Sequence, residues 1–200
     1  RANVNLNMSG CHSNGDLNVS GTTGNLYLGG LMGISYCKSF TLSDCHSGTN
    51  SDSTNNSLTL SQTGSAVYYG LIGLIEYKTD KQTFTISECS NATDIEFTSD
   101  SSATQVVVSH IIGRNSEAPK SGTVLNIDGC SVSGDFDFLG TCTGLFYYAG
   151  YYAYPHETTI TTTISNCTKA GAVNVGGSIG GRAVIGGYVG YWRSKVNFDT

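Results

Sequence analysis

Thr83-Phe84-Thr85-Ile86-Ser87-Glu88-Cys89-Ser90-Asn91-Ala92-Thr93-Asp94-Ile95-Glu96-Phe97 reads as strand, polar corner, strand. Phe84 and Ile86 fall on one side, and Thr83, Thr85 and Ser87 on the other. After the corner at Cys89, Ile95 and Phe97 point in while Asp94 and Glu96 point out. A period of two places alternate side chains on opposite faces of a strand, so each segment has one buried face. The same phrase recurs with its corner at Cys11, Cys45, Cys130 and Cys167.

The corner cysteines are 34, 44, 41 and 37 residues apart. Repeats of about this length are the signature of stacked supersecondary units. Each repeat carries three strand-like pieces in the same order. A propeller blade needs four strands with hairpin turns, whereas three strands per coil fit a parallel β-helix. The expectation is therefore an all-β, single-stranded parallel β-helix (β-solenoid) of about five coils with three strands each. It forms one domain over residues 1–200, with coil boundaries near Cys11, Cys45, Cys89, Cys130 and Cys167. Stacking puts Met8, Leu42, Ile86, Ile127, Ile164 and Phe198 in one inward column. Leu6, Phe40, Phe84, Leu125, Thr162 and Val196 make a second, in which Thr162 is the one polar misfit.

Composition narrows the class. Only 12% of the 200 residues are charged and the net charge is -5, which argues against a basic stripe for nucleic acid. No run of 18 apolar residues occurs, so no helical membrane span is expected. Low charge, with Ser, Thr and Asn in its place, points to an extracellular or cell-surface protein. Five Asn-x-Ser/Thr sequons, at Asn7, Asn18, Asn55, Asn91 and Asn166, are candidate glycosylation sites. Core-type residues in the first and last coils, Val4, Leu6, Met8, Val196 and Phe198, suggest a segment of a longer solenoid or protomers that associate head to tail.

The segments Gly29-Gly30-Leu31-Met32-Gly33, Tyr69-Gly70-Leu71-Ile72-Gly73 and Gly186-Gly187-Tyr188-Val189-Gly190, each followed by a Thr/Ile strand and a corner, resemble the GLUG-type repeats of surface β-helix proteins. The coils here are longer than GLUG units, and Ser109–Gly113 and Tyr147–Gly150 depart from the motif. The resemblance implies an extracellular adhesin or surface protein, and transfers no catalytic residue.

Four features carry the candidate chemistry. The second strand of each coil is apolar on both alternations, which suggests a partner chain seated on Tyr27, Tyr68, Tyr69, Tyr148, Tyr152 and Tyr188; the same rings could stack on glycans. Asp94 and Glu96 should lie beside Asp135 and Asp137 one coil on, as a Ca²⁺ site, a carboxylate pair for glycan cleavage, or solvated acids. The column Cys11, Cys45, Cys89, Cys130 and Cys167 reads as a buried thiol ladder, with inter-coil disulfides as the alternative, since the rung spacing lies in the disulfide range. Cys37 and Cys142 fall outside it. The histidines form no evident Ser or Cys site with a carboxylate. The leading expectation is a structural protein that builds a filament or an adhesin stalk and is not an enzyme; a glycan-binding module and a polysaccharide-degrading enzyme are the alternatives.

Overall fold

The computed structural model describes residues 5–22, 24–48, 55–76, 81–115, 122–155, 160–191 and 195–199. The alternating segments do become parallel strands. Asn5–Ser9, Ser39–Ser43, Thr83–Ser87, Thr123–Asp128, Ile160–Ser165 and Lys195–Asp199 pair in that order as a six-stranded first sheet. Its register joins Leu6, Phe40, Phe84, Leu125, Thr162 and Val196 in one column, and Met8, Leu42, Ile86, Ile127, Ile164 and Phe198 in the next. Every pairing is parallel and links one coil to the next, so the fold is a β-solenoid. No α-helix occurs among the described residues, and none is long and apolar enough to cross a membrane.

After each first-sheet strand the chain turns at the cysteine. The residue before it takes a left-handed conformation in every coil: Gly10, Asp44, Glu88, Gly129 and Asn166, with φ between 51° and 62°. Two-residue strands follow, His12–Ser13, His46–Ser47, Ser90–Asn91, Ser131–Val132 and Thr168–Lys169, stacked as a five-stranded corner sheet. A path that passes this corner five times completes about four turns, with part turns at either end. The five coils expected from the cysteine spacing are corrected to that figure.

The remaining strands form a twelve-stranded sheet that bends on itself. In the second coil one strand runs from Ser57 to Ile75. Its first part pairs with Asp94–Phe97 and its middle with Ser102–Ser109. Beyond Gly70 it pairs with Ile112–Asn115. The bend at the Gly-x-x-Gly segments is so tight that a Cβ at Gly73 would lie 2.3 Å from the Leu28 carbonyl oxygen, and one at Gly113 2.5 Å from that of Gly73. Glycine is required there because backbone fills the place of a side chain.

The bend divides the interior. One core joins the first sheet to the segment beyond the bend, through Phe40, Phe84, Ile86, Ile112 and Tyr152. A second lies between the two arms before it, through Leu60, Phe97, Val108, Phe136 and Tyr148. A third cluster, Ala66, Tyr68, Val107, Tyr147, Ala149 and Ala153, sits on the opposite face of the same strands. This is why the second strand is apolar on both alternations: its own chain covers both faces.

Candidate functional site

The tyrosines illustrate the consequence. Tyr69 and Tyr148 point into the second core and Tyr152 into the first. Tyr68 stacks on Tyr27, with ring centroids 5.2 Å apart, and is covered by Arg114, whose guanidinium lies 5.3 Å from the centroids of Tyr68 and Tyr154. Arg114 Nη1 donates to the Tyr68 hydroxyl at 2.9 Å, and that hydroxyl donates to Gln105 at 3.0 Å. Only Tyr27 and Tyr188 of the six expected interface tyrosines keep more than a third of their surface exposed, at 38% and 37%. The expected tyrosine docking face is therefore largely interior. Rings already stacked on one another also leave little free face for a sugar.

The acidic cluster has a structural role that spans coils. Register places Glu96 beside Asp137, as expected. Asp94 Oδ1 accepts the Asp135 backbone N–H at 2.9 Å and the Asn55 side-chain amide at 2.9 Å. Asp135 Oδ1 in turn accepts the Ala172 N–H at 2.7 Å, and Asp137 accepts from Asn174 at 2.8 Å. Asp16 does the same for the Ser57 N–H at 2.8 Å, and that bond holds its carboxyl below the usual carboxylate range. At three corners a carboxylate thus satisfies a backbone donor of the next coil. No group of three or more potential ligands able to hold a metal ion occurs among the described residues. The Ca²⁺ reading of Asp94, Glu96, Asp135 and Asp137 is corrected accordingly: they do not converge as a ligand group, and Asp94, Asp135 and Asp137 each give one oxygen to an amide of the neighbouring coil.

The corner sheet gathers a constellation that the sequence hides. His46 Nδ1 lies 2.8 Å from Ser90 Oγ, and His46 Nε2 lies 3.0 Å from Asp44 Oδ1. The His12 ring packs against His46 at 5.0 Å. This corrects the expectation that no histidine meets both a serine and a carboxylate. The order Ser, His, Asp is that of an acyl-transfer relay, which also needs free donors for a developing oxyanion. Here the Ser90 and His46 backbone amides are committed to the Cys45 and Cys11 carbonyls. The trio links the second coil to the third. Its members are 44 and two residues apart in sequence, so only the coil register reveals it.

All seven cysteines are free thiols. Cys45, Cys89 and Cys130 are buried and Cys11 and Cys167, at the ends of the column, are half-buried. Backbone bonds run along the column: His46 N to Cys11 O, Ser90 N to Cys45 O, Ser131 N to Cys89 O and Thr168 N to Cys130 O, at 2.8–3.0 Å. Four of the thiols also donate to the carbonyl two residues back.

Of the sequon asparagines, Asn7, Asn18, Asn55 and Asn166 are exposed. Asn91 is fully buried, and its Nδ2 donates to the His110 carbonyl at 2.6 Å. Glycan would attach at that nitrogen, so Asn91 cannot carry one in the folded chain, and its expected glycosylation is corrected to a structural role.

Comparison with protein-family models, curated proteins and solved structures gave no match. The functional reading therefore rests on the geometry and on the repeat pattern of this chain.

Proposed function

We propose that this chain is a structural β-solenoid module of an extracellular or cell-surface protein, which associates head to tail into a filament or stalk. The observation that carries the reading is the state of the outermost coils. The two inward columns of the first sheet run through every rung, so the faces at both ends present the same apolar pattern. Leu17 at one end keeps 43% of its surface exposed, and Ile185 and Phe198 at the other keep 52% and 55%. In the middle coils the equivalent positions are closed. Burying such a side chain is worth about 1.5–3 kcal/mol, and the unpaired edge strands add backbone donors and acceptors.

The bonds between coils support the same reading. Asp16, Asp94, Asp135 and Asp137 are engaged in coil-to-coil bonds, which suits a scaffold. The low charge and the exposed sequons Asn7, Asn18, Asn55 and Asn166 support an external location, as does the resemblance to GLUG-type repeats. Sedimentation velocity tests the association. The protein should form concentration-dependent multimers. Leu17→Lys or Ile185→Lys should reduce them to single chains with an unchanged circular dichroism spectrum. A wild-type chain that stays single at high concentration contradicts the proposal.

A further inference from the structure

The thiol column ends in an asymmetric pair. Cys130 is buried and Cys167, one coil on, is half-buried and reachable from solvent. Their strands are locked in register by Ser131 opposite Thr168 and Val132 opposite Lys169. The Tyr151 hydroxyl spans the two turns, within hydrogen-bond distance of the carbonyls of Cys130 and Thr168 and able to donate to either. In-register parallel strands lie about 4.8 Å apart, within the range of Cα separations a disulfide bridges. The Cys167 Sγ reaches back across the coil spacing to the Ile127 carbonyl at 3.7 Å, three residues before Cys130.

We propose that Cys167 and Cys130 are a redox-active pair, in which Cys167 captures a low-molecular-weight disulfide and Cys130 resolves it into a bridge between coils. The Cys167 thiolate attacks one sulfur of the reagent, forming a mixed disulfide and expelling the first small thiolate. The Cys130 thiol loses its proton and attacks Cys167 Sγ. That breaks the mixed disulfide, forms the Cys130–Cys167 bond and expels the second small thiolate. Two protein thiols are oxidised, one reagent disulfide is reduced to two thiols, and no other oxidant is needed. The roles follow from access: the attacking sulfur must meet solvent, whereas the resolving sulfur needs only its neighbour. The neighbouring Cys130 also draws the Cys167 thiol down to about 7, which favours it as the attacking partner.

The test uses the full native chain carrying Cys11→Ser and Cys37→Ser, treated with 5,5′-dithiobis(2-nitrobenzoate). Both reagent thiolates should be released per reacting chain, and the intact mass should fall by two hydrogens with no adduct retained. Peptide mapping without reductant should find Cys130 joined to Cys167. With Cys130→Ser added, a single release and a stable adduct on Cys167 are expected. With Cys167→Ser added, the reaction should slow by at least about tenfold. A stable adduct on Cys167 with Cys130 present, or an unchanged rate in Cys167→Ser, overturns the proposal. The mass measurement needs neither added variant, so a folding defect in one of them does not shield the idea.

Discussion

Among the described residues Thr162, His110 and Tyr148 are buried with polar side-chain atoms that have no partner within the protein, and the first two each make a prediction at the residue scale. Thr162 sits in an otherwise apolar column with its hydroxyl fully buried and without a hydrogen-bond partner within the protein. An unsatisfied buried hydroxyl costs about 1–3 kcal/mol. Thr162→Val keeps the shape and removes the donor, so urea unfolding should show a gain of about 1 kcal/mol. His110 is likewise buried, with neither ring nitrogen bonded within the protein, and its ring meets the edge of Tyr148. Burial first, and Lys169 second, push its pKa down from 6.5 to about 3. The unfolded chain therefore binds more protons than the folded one between these values. Stability falls as pH drops through that window and is insensitive to this group above it. His110→Leu should flatten the pH dependence of the melting temperature between about 6.5 and 3; an unchanged slope sinks the assignment. The Thr162 defect was legible in the sequence, because the column needs only period-two alternation and one alignment. His110 was not, since Val106-Val107-Val108-Ser109-His110 carries no sign of which face the histidine takes after the bend.

At the scale of the element, the corner explains why the repeats look as they do. A left-handed residue precedes each cysteine, and glycine fills that place at Gly10 and Gly129. Asp44, Glu88 and Asn166 occupy it in the other coils, and of these Glu88 is the type least suited to positive φ. Glu88→Gly should stabilise by about 0.5–1 kcal/mol, the relief of strain exceeding the added flexibility of the unfolded chain. Gly129→Ala should destabilise, because a Cβ there would lie 2.3 Å from the Glu88 carboxylate at φ 61°. The aspartates make a second prediction. Asp94→Ala and Asp135→Ala each orphan a backbone amide of the next coil and should lower the melting temperature, while EDTA should leave the wild-type value unchanged. A large fall with EDTA would restore the cation reading. Glu96 beside Asp137 was legible from repeat alignment. The Asp-to-amide bonds were not, for they join residues about 40 positions apart in directions that alternation alone does not define.

On the scale of the whole molecule, the order of strands and the direction of stacking followed from the sequence, whereas the cross-section did not. Repeat order gave parallel coils, and columns gave the first sheet residue for residue. The second strand read as a flat, two-sided apolar surface awaiting a partner. It is instead bent at its glycines, and the bend brings Tyr69, Tyr148 and Tyr152 inside. Periodicity cannot distinguish a strand covered by another molecule from one covered by its own return. What remains exposed lies mainly on the end coils, at Leu17, Ile185, Tyr188 and Phe198. We propose that this stack, whose end faces match its internal ones, extends by the same packing that holds it together. Electron microscopy of the native, never-denatured chain tests it most directly. Filaments whose axial subunit spacing is about 19–24 Å, the height of about four turns and the part turns at either end at about 4.8 Å per turn, are the predicted result; isolated short rods at every concentration would contradict it.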